Sequence, residues 1–214
     1  MTTLNKIVYD IAHSQGKEDD ESYLERLKFR VHQYRATIIR RDLDRNRFTP
    51  TQYIQTIGCL DMAFIDASSC AGVEVGCKVF RSVKRVPYPI RFKDKVPFYY
   101  VGTIDGKKGY SPITVSELHY FGSNKYTASV PRYYYDDGYI YLLNSLSIKI
   151  QVKGVFEYPS DLSAFNTDDS ICYSDDDKYP ISIDLARNIT EAILNFDITK
   201  ENPNRDNTEV TIDG

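Results

Sequence analysis

The chain carries a helix-like block towards each end and a block of different character between them. Residues 19–45 and 179–196 place apolar side chains at helical spacing. Between them, β-branched residues, tyrosines and turn signals dominate, as is typical of strands. This order predicts an α+β fold, in which N-terminal helices and a C-terminal helix pack together around an inserted antiparallel β-rich domain.

Composition shifts along the 214 residues suggest a finer division into four parts. We predict a helical docking part from 1–48 together with 180–197, and a β-rich part over 49–160. Residues 161–179 are rich in aspartate and predict an acidic loop. Residues 198–214 are polar with few apolar groups, which predicts a flexible C-terminal tail that is disordered or becomes ordered on a partner.

Three helices follow from apolar spacing and from their end signals. The first precedes Gly16, a residue suited to ending a helix, and the last is predicted to be capped near Ser182 or Asp184. The middle helix begins with acidic residues that complement its dipole. Its predicted apolar seam consists of Leu24, Leu27, Val31, Tyr34 and Ile38.

Strands are predicted where residues alternate or are rich in aromatic and β-branched types. Asp105–Gly106 predicts a hairpin, and Asp136–Asp137–Gly138, between aromatic flanks, predicts a second one with a stronger signal. Residues 116–121 fit a short helix or a strand equally well. The predicted strands are 51–57, 78–83, 97–104, 126–135, 139–143 and 148–157.

Several classes of site find no support in the motifs. The four cysteines form no CxxC pair and the three histidines are far apart, so no metal-ligand spacing is present. Nucleotide-binding glycine motifs, the nucleophile elbow and HExxH are absent, and the aspartates of 168–177 lack the order of a calcium loop. We therefore expect no cofactor and no enzymatic activity. The chain also shows no signal peptide and no run of about 20 apolar residues that could cross a membrane.

Two surfaces are candidates for partner binding. The middle helix is basic away from its seam, a pattern that fits either a solvated face with local ion pairs or a surface that docks on an acidic partner. The 18 tyrosines either fill strand positions or enrich an interface. The basic residues of the helix are Arg26, Lys28, Arg30, Arg35, Arg40, Arg41, Arg45 and Arg47. The predicted interface residues are Arg26, Arg30, Tyr34, Arg40, Arg41, Arg45, Tyr133, Tyr134 and Tyr135.

Four segments together resemble a known family: DDESYLERLKFRVHQYRATIIRRDL, RFTPTQYIQTIGCLDM, VKGVFEYPSDL and YPISIDLARNITEAIL. In their order and local sequence they are similar to virion ring, or neck, proteins of crAss-like tailed phages, and more broadly to head–tail connector adaptors of short-tailed phages. The resemblance extends from Leu4 to Phe196 and includes no catalytic residues.

The resemblance implies a place and partners for the protein. Copies would form a twelvefold ring in the neck of the virion, assembled in the host cytoplasm. The helical part would dock on the portal protein or a neighbouring ring, and the β part would face the next tail component. Double-stranded DNA would pass through the ring without specific binding, which suits a net charge of only −3.

Two other functions remain open from the residues alone. Residues 26–47 and the basic, aromatic stretch 81–99, with Tyr88, Phe92, Phe98 and Tyr99, are compatible with a module that binds single-stranded nucleic acid. A small enzyme with a site assembled from distant Asp, His and Cys residues has no local motif in its favour.

Overall fold

A computed structural model describes residues 2–45, 49–66, 78–90, 97–120, 129–166 and 172–201. The chain divides into two compact units. Unit 1 takes its residues from 1–38 and 175–214, and unit 2 comprises 39–174. Because unit 2 lies within the sequence of unit 1, unit 1 is discontinuous along the chain.

Unit 1 is helical. Its helices are α1 (Leu4–Ser14), most of α2 (Glu21–Arg45) and α3 (Ile183–Glu201). The Thr3 hydroxyl accepts from the Lys6 amide at the start of α1. Gly16 adopts a positive φ of 63° just after its end. There the Gly16 amide donates to the His13 carbonyl and the Lys17 amide to the Ala12 carbonyl, at 3.1 and 3.0 Å. This is the Schellman geometry, and it confirms the predicted end signal.

Helix α3 begins at the predicted cap. The Leu185 amide donates to the Ser182 hydroxyl at 3.1 Å, so Ser182 is the capping residue. The helix continues to Glu201, inside the segment predicted as a tail, and residues 202–214 lie outside the described residues. Its buried apolar residues are Leu185, Ala186, Ile189 and Ile193, and those of α1 are Leu4, Ile7, Val8, Ile11 and Ala12.

The buried stripe of α2 differs from the predicted seam. Leu27 and Val31 are buried as predicted, whereas Leu24, Tyr34 and Ile38 are only half-buried. The stripe advances in steps of four residues, and each step rotates it by about 40° because a helical turn takes 3.6 residues. A seam read at alternating spacings of three and four misses that drift. The residues that complete the stripe are His32, Arg35, Ile39 and Leu43.

Unit 2 contains a seven-stranded sheet with the strand order β3-β7-β1-β2-β6-β5-β4. All neighbouring pairs are antiparallel except β4 with β5, which are parallel. The described helices and this mostly antiparallel sheet confirm the predicted α+β class. The strands are β1 (Gln55–Asp66), β2 (Lys78–Ser82), β3 (Phe98–Gly102), β4 (Ser111–Pro112), β5 (Arg132–Asp136), β6 (Tyr139–Leu143) and β7 (Lys149–Gly154).

Strand β1 is displaced from its predicted range of 51–57. Residues Thr51–Tyr53 form a short 3₁₀ helix after Pro50, and the strand then runs to Asp66. Its first half pairs with β7 and its second half with β2, with a register shift between Ile57 and Leu60. This irregularity interrupts the two-residue alternation on which the prediction relied.

Other strand boundaries also move. Strand β5 starts at Arg132, directly after Pro131, rather than at 126, and residues 126–128 lie outside the described residues. The two-residue strand β4 was not predicted. Residues Val115–Tyr120 form a 3₁₀ helix, which settles the open choice there, and Pro159–Phe165 form another that overlaps the start of the predicted acidic loop.

The hairpin predicted at Asp136–Asp137–Gly138 is confirmed, whereas around Asp105–Gly106 the chain reverses with an isolated antiparallel bridge between Gly102 and Gly109. Asp137 and Gly138 have φ values of 45° and 81° and form the two-residue loop between β5 and β6. Positive φ at both positions is the type I′ arrangement that matches the twist of paired strands. Gly106, with φ of 73°, donates its amide to the Thr103 carbonyl in the turn after β3.

Candidate partner-binding surfaces

The predicted basic face of α2 is largely at the surface. Arg26, Arg40, Arg41 and Arg45 are exposed, and Arg30 is half-buried. Arg26 is held locally, because its Nε donates to the Ser22 carbonyl at 3.2 Å. The face therefore presents guanidinium groups over several turns of the helix.

Arg35 is not part of that face. Its side chain is 0% exposed, and its Nε donates to the Pro180 carbonyl at 3.1 Å. The guanidinium also lies 5.7 Å from the centre of the Tyr179 ring, within range of a cation–π interaction. Assigning Arg35 to the solvated side of the helix was wrong, because Arg35 lies four residues after buried Val31 and continues the same stripe.

His32 joins Arg35 in a buried polar cluster, which we define as His32, Arg35, Tyr179 and the Pro180 carbonyl. The His32 Nδ1 lies 2.7 Å from the Tyr179 hydroxyl. Burial lowers the pKa of His32 to about 4, and the Arg35 charge adds to that shift. Burial also raises the pKa of Tyr179. His32 and Tyr179 are therefore both neutral near pH 7, and the cluster ties α2 to the segment before α3.

Lys28, on the same helix as His32 and Arg35, forms salt bridges with two carboxylates. Its Nζ lies 3.1 Å from Glu25 and 3.2 Å from Asp175. Partial burial acts to lower the pKa of Lys28, but hydrogen bonds to these two carboxylates raise it overall. Sequence reasoning missed the cluster as a whole. The available signal was a histidine and an arginine, three residues apart, within an otherwise apolar stripe.

The three predicted interface tyrosines of β5 have different environments. Tyr133 is buried in unit 2, which raises its pKa. Tyr135 is half-buried, donates its hydroxyl to the Val86 carbonyl at 3.3 Å and meets the edge of the Phe98 ring. Tyr134 stacks on Tyr141, with ring centres 4.5 Å apart and planes within 3°. Burial raises the pKa of half-buried Tyr134 to about 12.

The Tyr134–Tyr141 stack forms part of an open groove in unit 2, which we call the β2–β6 groove. Its volume is about 720 Å³. Phe64 and Phe80 also border it, with ring centres 4.8 Å apart, and Leu146 borders it with 69% of its surface exposed. The lining residues are Phe64, Val79, Phe80, Tyr134, Tyr141, Leu142, Leu143, Asn144, Ser145 and Leu146.

The two units carry opposite formal charges. Unit 1 contains 10 lysines and arginines against 16 aspartates and glutamates, a charge of −6. Unit 2 contains 17 against 14, a charge of +3. The negative charge of the chain is therefore concentrated in unit 1, whereas +2 of the +3 of unit 2 comes from residues 39–48, at the end of α2 and just after it.

Within the described parts of the chain, no three His, Cys, Asp or Glu side chains come close enough to hold a metal ion. Of the helices described, none has the length and apolarity needed to cross a membrane.

An apolar groove, a basic helix face and two oppositely charged units are features of a protein that assembles with others. The chain belongs to the crAss ring family described as phage tail ring protein 2, whose model matches residues 6–213. This match confirms the resemblance to ring proteins of crAss-like phages. A search of curated proteins gives no match. The protein is thus a structural ring component of the phage particle, oligomeric and associated with the tail.

Proposed function

We propose that copies of this chain form a twelvefold, head-to-tail ring in the portal-to-tail neck. In this position the ring extends the DNA channel and docks the next tail component. The family match over residues 6–213 is the observation that carries this proposal. A closed ring of identical copies needs two unlike faces on each copy, and the differently charged units supply them.

The helical part docks on the portal or on a neighbouring ring, and the β part faces the next tail component. The basic face of α2 contributes to docking by meeting an acidic protein surface. Retention of DNA grows with the number of phosphates neutralised, and a chain with a net charge of −3 favours free passage of DNA. Assembly takes place in the host cytoplasm.

The first test is the copy number of the chain in purified virions, measured by quantitative mass spectrometry against the major capsid protein. About twelve copies per particle are expected, the number that follows from a closed twelvefold ring. Cryo-electron microscopy of the same particles then locates the ring. Hundreds of copies, absence from the particle, or density remote from the portal would contradict the proposal.

The second test reverses the charge of the basic helix face. The double variant Arg40→Glu/Arg41→Glu is expected to lower incorporation into virions, because an acidic partner surface would repel the new carboxylates. The matched control, Lys107→Glu/Lys108→Glu, changes two exposed lysines in the turn after β3 and is expected to incorporate normally. Normal incorporation of both variants would exclude Arg40 and Arg41 from docking.

Nucleic-acid binding through 81–99 is weakened by the position of its aromatic residues. Phe98 is buried against Tyr135 and Phe156 and cannot stack on a base. Tyr88 and Tyr99 are exposed, and Phe92 lies outside the described residues. A salt-sensitive shift with a short oligonucleotide would revive this alternative.

A further inference from the structure

The β2–β6 groove exists because two neighbouring strands separate. Arg81 and Tyr141 are the register pair that joins β2 to β6. Beyond this pair, Val79 and Phe80 on one strand and Leu142 and Leu143 on the other border the opening. Asn144 then adopts a positive φ of 56°, and Leu146 follows as part of the groove border.

The chemistry of the groove favours a protein partner. Among the described residues, its lining includes no lysine, arginine, aspartate or glutamate, and it combines aromatic rings with aliphatic side chains. Interface centres are depleted of charge and enriched in aromatic residues in this way. Phe64 is 57% exposed and Leu146 is 69% exposed, so the groove offers substantial apolar area to a partner.

The arginines beside the groove and the negative charge of unit 1 favour the helical unit of another copy as the partner. The groove lies in the 49–174 part of unit 2, which holds 13 lysines and arginines and 12 aspartates and glutamates, a formal charge of +1, and Arg81 and Arg132 lie at register positions beside its lining residues Tyr141 and Leu143. Docking two such grooves on each other would bring these arginines together. Docking on a unit 1 of charge −6 joins opposite charges and produces the head-to-tail contact that a ring requires.

One residue of unit 1 fits the groove by its exposure and its neighbours. Ile183, the first residue of α3, is 80% exposed, the highest value among the large apolar residues of the described ranges. Asp184 beside it is exposed, as is Asp177 a few residues earlier in the chain. Ile183 is therefore an apolar side chain next to acidic groups, which complements an apolar groove with arginines at its border.

We propose that the β2–β6 groove of one copy receives the Ile183 end of helix α3 from the adjacent copy in the ring. This inference rests on the proposed ring function and specifies which two surfaces join the copies. Burying Ile183 and Leu146 against each other removes from water two of the most exposed apolar side chains in the described ranges.

Photo-crosslinking in assembled particles tests the contact directly. A benzophenone side chain is placed at position 146, the virions are irradiated, and dimer-sized bands are mapped by mass spectrometry. The expected result is a covalent dimer of this chain that links position 146 to a peptide from 175–195. A dimer linked elsewhere, a bond to a different virion protein, or no crosslink in particles that contain the chain would overturn the inference while leaving the ring intact. Absence of the chain from particles would instead remove the proposed function itself.

A matched pair of substitutions gives an independent readout. Leu146→Glu is expected to reduce copies per particle at least about tenfold, because a charge replaces an apolar interface anchor. Ile104→Glu makes the same change at an exposed position outside the groove and is expected to incorporate like the unmodified chain. Circular dichroism and thermal unfolding verify that both variants fold. Normal incorporation of folded Leu146→Glu would overturn the inference.

Discussion

The two units bury different kinds of side chain. Unit 1 encloses His32 and Arg35, whereas the polar residues buried in the described part of unit 2 are the neutral Ser82 and Gln55. Unit 2 packs aromatic rings, such as Phe98 against Tyr135, and leaves an apolar groove open. A buried arginine requires oriented acceptors, so unit 1 specifies one arrangement of its segments through directed hydrogen bonds. Unit 2 instead joins its strands through the backbone hydrogen bonds of the sheet, and apolar side chains fill its described core.

Removing the buried arginine should give the largest difference between the units. Arg35→Ala deletes the donor to the Pro180 carbonyl and leaves a cavity, at an expected cost of about 3 kcal/mol in the free energy of unfolding. Hydrogen exchange read by mass spectrometry should show faster exchange in 2–38 and 175–195 than in the unmodified chain.

The control for that experiment lies on the same helix. Arg40→Ala removes an exposed guanidinium and is expected to change the free energy of unfolding by less than about 0.5 kcal/mol. If Arg35→Ala were as mild as Arg40→Ala, the buried polar cluster would not be what orders unit 1.

Acid should also destabilise unit 1 more than unit 2, with a smaller loss in the free energy of unfolding than Arg35→Ala causes. The pKa of His32 falls from 6.5 to about 4 on folding. Between these two pH values the imidazole is protonated in the unfolded chain and neutral in the folded chain. The associated stability is fully present above pH 6.5 and is lost as the pH falls from 6.5 towards 4. At pH 5 the loss is about 2 kcal/mol relative to pH 8. The groups that influence this proton are Arg35 and Lys28, which oppose it, and Asp175, which favours it.

Urea unfolding at pH 8 and pH 5, combined with hydrogen exchange, measures this effect. Unit 1 peptides should lose protection at pH 5 more than unit 2 peptides do. His32→Gln retains a hydrogen-bonding group but has no charge to gain, so it should flatten the dependence. An unchanged pH profile in His32→Gln would assign the acid sensitivity to other groups.

The smallest predicted effects should be equal in the two units. Gly16 and Gly106 have φ values of 63° and 73°, and a Cβ on either would meet no atom within 4 Å. Gly16→Ala and Gly106→Ala should therefore each cost about 1 kcal/mol through backbone conformation alone. Thermal unfolding of both variants checks this, and a cost confined to one unit would show that the turns differ in their importance for folding.

Local signals predicted the features that depend on neighbouring residues. Gly16, the Ser182 cap and the Asp137–Gly138 loop all follow from short-range chemistry that single positions reveal. The extent of β1 was missed because its two halves pair with different strands and its register shifts between them. Those partners are distant in sequence, and no local pattern encodes the choice.

The candidate surfaces could also be predicted only where they depend on residues close together in the sequence. Exposed arginines on α2 follow from helical spacing, but burial of Arg35 depends on Pro180, which lies far along the chain. The β2–β6 groove depends on where the pairing of β2 with β6 ends. The types of the residues in the two strands do not indicate that position. The exposure of Ile183 also could not be predicted, because an isoleucine at the start of an amphipathic helix is ordinarily at least partly buried.

The discontinuity of unit 1 has a consequence for the order of events during synthesis. A ribosome synthesises the first two helices and all of 39–174 before it makes Tyr179, Pro180 and α3. Arg35 cannot reach its carbonyl acceptor until that last segment has emerged. The helical unit therefore closes late, and the segment that closes it also carries Ile183. Under the proposed contact, a chain can therefore receive another copy in its β2–β6 groove before it can offer its own Ile183 to a neighbour.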